Sequence, residues 1–383
     1  MSVVGILGGG QLARMLALAG APLGARFRIL DSASDACAGE VAPLLHADFT
    51  DTAALGRFAA QVDVATFDFE NVPAASAEWL AARLPVFPAP AALAITQDRM
   101  AEKQVFTALG IGTPAFAAVG SRAELEAAVD RIGLPAILKT RRLGYDGKGQ
   151  FRLCTRADVD AAWHLLGNSL PGVTSLILEA FVPFDHEISV IAVRARDGEF
   201  RTWPLTRNWH ADGILSVSLA PWSIGSLDTQ AVGHARAIAE HLDYVGVFAL
   251  ELFVCGGTLL ANEMAPRVHN SGHWTIEGAI CSQFENHVRA VLELPLGDPS
   301  ARGPAAMLNW VGEMPDGRVA LSASDVHWHD YGKTPRPGRK LGHATICASS
   351  RSELAVSIED LARRLDRADQ CAPLLAALRQ GDL

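Results

Sequence analysis

An α/β unit with a parallel sheet, followed by a larger α+β region, is the fold this sequence predicts. Three features carry that prediction. Through residues 1–95, short apolar runs alternate with helical stretches, as in a parallel sheet whose crossovers are helices. Through 96–295, capped helices alternate with strands paired across glycine turns. A segment rich in Gly, Pro and Ser, 295–304, then reads as a linker to a smaller mixed region, 305–383, with a basic turn at Arg336-Pro337-Gly338-Arg339-Lys340.

Residues 3–7 make a buried strand that enters Gly8-Gly9-Gly10, and 11–19 a helix. Strands follow at 27–30, ending in Asp31, at 62–69, ending in Glu70-Asn71, and at 85–87. Asp98 is the expected N-cap of a helix running to about Leu109, with Gly110 beyond its end. Ser121 and Glu124 form a capping box for a helix that stops at Gly133. Strands at 135–139 and 151–153 flank a glycine-rich turn, and Thr155 is expected to cap a helix over 157–166. Strands are expected at 176–181 and 187–194, with a hairpin signal at Asp197-Gly198. A helix from Asp228 to about His241, strands at 245–254 and 259–264, and a helix over 278–292 complete the region.

The composition excludes several classes. A net charge of −9 leaves no global basic field for nucleic acid. No apolar stretch reaches the length of a membrane span, and no Lys or Arg precedes the short apolar run at the start, as a signal peptide requires. The six cysteines lie far apart without a CxxC pair, which reads as free thiols in a reducing cytoplasm.

Four groups of residues carry chemistry. Gly8-Gly9-Gly10-Gln11-Leu12-Ala13, between strand and helix, fits a phosphate-binding GxGxxA turn, with Asp31 about where a ribose-binding acid would stand; a tight turn made for packing fits equally well. Lys139 closes an apolar strand, and Gly144-Tyr145-Asp146-Gly147-Lys148-Gly149-Gln150 follows. A lysine beside a glycine loop supplies the charge and the N–H groups that hold a polyphosphate, although the spacing is not that of a P-loop. Glu251 lies in an apolar strand, and Asn262-Glu263 in the next. A three-residue turn at Gly256-Gly257 would set Glu251 opposite Glu263, a repulsion that a hard dication such as Mg²⁺ removes; a two-residue turn would set Glu251 opposite Asn262. Finally, Arg267, His269 and Asn270 open a donor-rich run, His269-Asn270-Ser271-Gly272-His273-Trp274-Thr275, suited to a small planar oxyanion.

In this order Lys139, the 144–150 loop, Glu179-Ala180-Phe181-Val182, Glu187, Glu251 and Asn262-Glu263 resemble the nucleotide site of the ATP-grasp ligases. GGGQLARM, FDFENVP, GYDGKGQ, APRVHNSGHWT and RPGRKLGH together resemble the N5-carboxyaminoimidazole ribonucleotide synthetases of purine biosynthesis, over residues 3 to about 345. The resemblance implies a Rossmann-like preATP-grasp domain (1–95), an ATP-grasp domain (96–295, with a lid at about 110–182 and a larger part at about 183–295) and a small β-rich C-terminal domain (305–383). It implies ATP, bicarbonate and 5-aminoimidazole ribonucleotide as substrates, Mg²⁺ or Mn²⁺ as the metal, and a cytoplasmic homodimer that binds neither nucleic acid nor membrane. Arg99, Lys139, the 144–150 loop, Glu179, Ala180, Phe181, Val182, Glu187, His210, Asn262 and Glu263 would contact ATP, and Glu251 and Glu263 the metal. Arg267, His269 and Asn270 would hold bicarbonate and then carboxyphosphate. Gln11, Glu70, Tyr145, Lys148, Lys333, Arg339 and Lys340 would bind the ribonucleotide, with Asp146 as the base and Lys333 in the catalytic set. Two departures stand out: Lys148 replaces a common Arg, and Leu143 a common Gly. A formate-dependent glycinamide ribonucleotide transformylase shares the nucleotide site but should lack the HNSGHWT and RPGRKLGH runs. A biotin-dependent carboxylase is a further relative of the fold, for which this chain is short. A nicotinamide-dependent dehydrogenase would use the glycine turn and leave Glu251 and Glu263 unexplained, and a nucleotide sensor has no need of Arg267.

Overall fold

Three sheets organise the chain in the computed structural model, which describes residues 2–144, 149–167, 176–323 and 325–380. The first holds four parallel strands, β1 (Val3–Leu7), β2 (Arg26–Asp31), β3 (Leu44–His46) and β4 (Val64–Phe67), in the order β3-β2-β1-β4. Val4, Ile6, Leu7, Ile29 and Leu30 are fully buried, because helices cover both faces and an apolar run with no alternation is what such a strand requires. The strand expected at 62–69 is the shorter β4. The one at 85–87 is a single bridge, Val86 to Ala65, since Pro85 and Pro88 lack ladder donors.

The second sheet is antiparallel: β5 (Phe116–Val119), β6 (Ala136–Thr140), β7 (Gln150–Leu153) and β8 (Leu176–Ala180), ordered β5-β8-β6-β7. The helix Arg99–Ala108 leads to it, with Asp98 accepting from Met100 N at 3.0 Å, as expected of an N-cap. Ser121 Oγ accepts from Glu124 N, but Glu124 reaches back to Gly120 N, one residue earlier than a capping box places it. The helix expected over 157–166 is α-helical only over Asp158–Ala162 and widens to a π-turn, Trp163–Gly167. Thr155 does not cap it. The Asp158 carboxylate accepts from Cys154 N and Thr155 N instead.

The third sheet has nine strands: β9 (His186–Arg194), β10 (Phe200–Thr202), β11 (Leu205–Ala211), β12 (Ile214–Trp222), β13 (Gly246–Cys255), β14 (Thr258–Ala265), β15 (Ala305–Val311), β16 (Val326–Asp330) and β17 (Lys340–Cys347). Its order is β14-β13-β9-β11-β12-β15-β17-β16, with β10 on β9. The strands beyond the linker therefore extend the same sheet, through β12 and β15. The hairpin β11–β12 was not legible in the sequence. Register shifts break its alternation, and Asn208 is buried between Ser189 Oγ and Ser218 Oγ. The helix expected over 278–292 is two pieces, Thr275–Gly278 and Gln283–Val291. Ala279 between them is extended and bridges Ala301, and Ser282 caps the second piece. The last helices, Arg351–Leu365 and Ala368–Gln380, bury Leu354, Ile358, Leu361 and Leu374 against Leu308, Trp310 and Ile346.

His287 joins the first and third sheets. Its Nδ1 accepts from Val247 N at 3.0 Å, so Nε2–H is left to donate to Thr66 Oγ1 at 2.8 Å. Burial lowers its pKa from 6.5 to about 4. Between those values the unfolded chain binds the proton that the native one refuses, so His287 supports the fold above pH 6.5 and the support is lost as pH falls through 4. From pH 7.5 to 5 the expected loss through His287 alone is about 2 kcal/mol. Urea melts at the two pH values should show this excess loss in the wild type relative to His287→Gln; equal losses would exclude the linkage.

Candidate active site

The glycine turn of the first sheet is already filled. Gly9 N donates to Asp31 Oδ2 at 2.5 Å and Gly10 N to Asp68 Oδ2 at 2.6 Å. A Cβ on Gly8 (φ +97°) would lie 1.9 Å from Asp68 Oδ1, so the glycine serves the approach of a carboxylate. Two acids engage the donors that a pyrophosphate would need, and Asp31 is committed to Gly9 and Ala33 rather than to a ribose. Beside this turn Lys333 donates to Gln11 Oε1.

A cleft of about 490 Å³ opens between the second and third sheets. One end is aromatic: Phe184 and Phe253 stack with centroids 4.7 Å apart at 7°, near Phe181, over which Arg152 lies at 4.0 Å. Flat apolar walls of this kind suit a heteroaromatic base. Lys139, on β6, reaches into the cleft and bonds Glu179 Oε2 at 2.8 Å. Lys103, fully buried, lies 3.6 Å from the other oxygen. Burial alone would raise the Glu179 carboxyl, but Lys139 and Lys103 hold it down to about 2. Glu179 thus faces lysines. Ala180 and Val182 follow it on the chain and line no part of the cleft.

The two acids meet by a route that the turn alone does not supply. Gly256 and Gly257 (φ +53° and +79°) form a two-residue turn and Cys255 pairs with Thr258, so the three-residue expectation fails. A bulge at Asn262 then inserts one residue into β14, and Glu251 pairs with Glu263 after all. Burial, with Glu263 and Glu187 nearby, pushes Glu251 up to about 8. Burial would do the same to Glu263, but Arg99 at 2.9 Å leaves it below the usual range. Glu187 and His210, bonded at 2.9 Å, complete a cluster in which Glu187, His210 and Glu251 offer ligand atoms within 4.8 Å of one another. The set fits a dication, since the buried carboxylates of Glu187 and Glu251 converge with His210, the part-exposed Glu263 lies across the ladder, and Glu251 has no cation of its own among the described residues.

The donor-rich run closes the far side. Arg267 Nε donates to Glu70. Gln283 accepts from His269 N at 2.9 Å and donates to His269 O at 2.7 Å, which fixes that residue's backbone. Burial and the Arg267 charge hold the His269 imidazole well below its ordinary pKa, so it is neutral, with Nε2 3.4 Å from Glu251. Asn270 is buried, and neither polar atom of its side chain has a hydrogen-bond partner among the described residues. Lys340 lines the same cleft, as do Glu70, Gly144, Gly149 and Gln150. Gln11, Lys333 and Arg339 lie outside its lining, and Arg339 donates to Thr334 O. Tyr145, Asp146, Gly147 and Lys148 fall outside the described residues.

The ATP-grasp domain model matches residues 104–284, the ribonucleotide synthetase preATP-grasp domain 1–97, and the phosphoribosylaminoimidazole carboxylase C-terminal domain 305–357. The N5-carboxyaminoimidazole ribonucleotide synthase of Pseudomonas aeruginosa is 51% identical, over 94% of this chain and 98% of its own. This chain belongs to the N5-carboxyaminoimidazole ribonucleotide synthase family. Among solved structures, the N5-carboxyaminoimidazole ribonucleotide synthetase from Thermus thermophilus matches with a TM-score of 0.89 at 50% identity, covering 94% of this chain and 98% of that one. The Aspergillus clavatus N5-carboxyaminoimidazole synthase, solved with ADP and 5-aminoimidazole ribonucleotide, matches at 0.88 and 30%, covering 96% and 99%.

As an N5-carboxyaminoimidazole ribonucleotide synthase, the chain is an ATP-grasp ligase with a preATP-grasp domain at its N-terminus. Sequence reasoning missed Lys103, Phe184, Phe253 and Gln283 in this site. Phe253 had a signal, standing two residues from Glu251 on one strand face. Leu143, where the resemblance led to the expectation of Gly, sits at φ +62°, the left-handed region that glycine enters without strain.

Proposed function

We infer that this chain carboxylates 5-aminoimidazole ribonucleotide with bicarbonate at the expense of ATP, through carboxyphosphate, releasing N5-carboxyaminoimidazole ribonucleotide, ADP and phosphate. The observation that carries it is a single cleft in which the opposed acids Glu251 and Glu263 adjoin Arg267, His269 and the unbonded side chain of Asn270. Phe181, Phe184 and Phe253 would take the adenine, Glu187 and His210 the ribose side, and Arg99 and Lys139 the phosphates. Glu251 and Glu263 would hold Mg²⁺ or Mn²⁺, which when bound neutralises charge on the transferring phosphoryl group. Arg267 and Asn270 would orient bicarbonate for in-line attack and then retain carboxyphosphate, with neutral His269 as a further donor or acceptor. Glu70, Lys340, Lys333, Gln11 and Arg339 would receive the ribonucleotide, and the 144–150 loop would close over the site, with Tyr145 and Lys148 on the substrate and Asp146 taking the amine proton. Carboxyphosphate hydrolyses readily, so exclusion of water is part of the task of that loop. We take the enzyme to act as a homodimer in the cytoplasm, in keeping with its six free cysteines.

The test is ADP release by the purified protein with Mg-ATP and bicarbonate, with and without 5-aminoimidazole ribonucleotide. At least tenfold stimulation by the ribonucleotide is expected, with none when formate replaces bicarbonate. ATP binding without stimulation would leave the fold standing and sink the substrate assignment.

A further inference from the structure

Glu179 is shared by two lysines that differ in their freedom to leave. Lys139 Nζ bonds Oε2 at 2.8 Å from the wall of the cleft. Lys103 lies behind, on the helix Arg99–Ala108, with no exposed surface and no part in the cleft wall. Its ammonium is held at three corners: Thr113 Oγ1 at 3.2 Å, Asn262 O at 3.4 Å and Glu179 Oε1 at 3.6 Å. That Glu179 oxygen has no hydrogen bond among the described residues, and Lys103 is the ammonium that faces it from behind the cleft.

We propose that Lys103 is a positioning residue, a resident counter-ion for Glu179 that lets Lys139 exchange its carboxylate for the nucleotide's phosphates. It rests on the assignment of Lys139 to the polyphosphate made above. A lysine that turns from a buried carboxylate to an incoming phosphate leaves an uncompensated charge behind, and that desolvated charge opposes binding. A second ammonium fixed on the same carboxylate removes the opposition. Lys103 has the required properties: it is within ion-pair range, anchored by neutral oxygens of the loop before β5 and of β14, and without exposed surface. The same exchange is irrelevant to a ligand without phosphates, so the device acts on the phosphate end of the nucleotide alone.

The test is calorimetric binding of Mg-ATP and of adenosine to the full chain, with no bicarbonate or ribonucleotide, so that failure of the carboxylation reading leaves it untouched. Lys103→Met should fold, because Glu179 keeps Lys139 as partner. It should bind ATP at least tenfold more weakly and adenosine within threefold of the wild type. Adding Glu179→Gln to Lys103→Met removes the charge that Lys139 would abandon, and should recover most of the lost ATP affinity. Equal loss for ATP and adenosine, or no recovery in the double variant, would reduce Lys103 to a structural residue and overturn the proposal. If the methionine variant does not fold, Lys103→Gln, whose amide can still bond Thr113 and Asn262, gives the same comparison.

Discussion

Glu263→Gln is expected to lower ribonucleotide-dependent ADP release by about three orders of magnitude while leaving the fold intact, the scale seen when a preorganised charge is taken from a transition state. The amide keeps the shape of the side chain and can still accept from Arg99, which sits 2.9 Å away, so the ion pair is replaced by a hydrogen bond to a neutral acceptor. It relieves the opposition of Glu251 across the β13–β14 ladder but also removes the charge that pairs with Arg99, so the melting temperature should change little. What is lost is half of the carboxylate pair that would hold the metal. Two measurements check this together: kcat over a titration of Mg²⁺ from micromolar to tens of millimolar, and a thermal melt of the same preparation. Turnover within tenfold of the wild type, or full recovery at high Mg²⁺ alone, would remove Glu263 from the metal site.

Arg267 should show the opposite coupling of activity and stability. In Arg267→Ala, the part-buried Glu70 would lose its guanidinium partner; breaking a fully buried pair costs about 3–5 kcal/mol, and the exposure of Glu70 puts the expected loss below that. Burial already works against the charge on Glu70, and Arg267 is the principal group that holds its pKa below the ordinary range. Arg267→Lys keeps a cation there but has no planar fork with which to hold bicarbonate and Glu70 at once. The lysine variant is therefore expected to retain most of the wild-type stability and to lose about 100-fold or more in kcat. Urea denaturation of both variants, beside ADP release at saturating ATP, separates the two effects. A lysine variant with turnover within fivefold of wild type would mean that a positive charge suffices and that bidentate contact plays no part.

Much of this was legible in the residues, and the failures have physical causes. Apolar strands between glycines announced the parallel sheet, because burial on both faces suppresses alternation. Glu251 and Glu263 were legible as an opposed pair, but by a mechanism that does not operate. The turn holds two residues, and the extra residue is Asn262, a bulge that no local rule of turn chemistry reveals. Gly8-Gly9-Gly10 left two readings open, and long-range contacts decided between them, since Asp68 is remote in sequence from the turn that it fills. Lys103 was overlooked because a lysine in an amphipathic helix ordinarily faces water. Its signal was the crowding of Arg99, Glu102 and Lys103 onto one face at spacings of three and four, too much charge for a face that packs on a strand. The β11–β12 hairpin escaped because its inward positions include Asn208 and Ser218, which satisfy one another in a way that hydropathy alone does not register.

The nine-stranded sheet also ties together two sides of the cleft that lie far apart in sequence. His210 on β11 and Lys340 on β17 face one cleft from opposite ends of an unbroken series of paired strands, β11-β12-β15-β17. Backbone ladders join the two positions, with a register shift beside each: between Trp209 and His210, and where Val311 pairs with Lys340. On the roles proposed above, one sheet would carry contacts to both substrates, as one jaw of a vice. The opposing four-stranded sheet, which carries Lys139 and Glu179, shares no ladder with that jaw among the described residues, so the cleft is walled by two separately built halves.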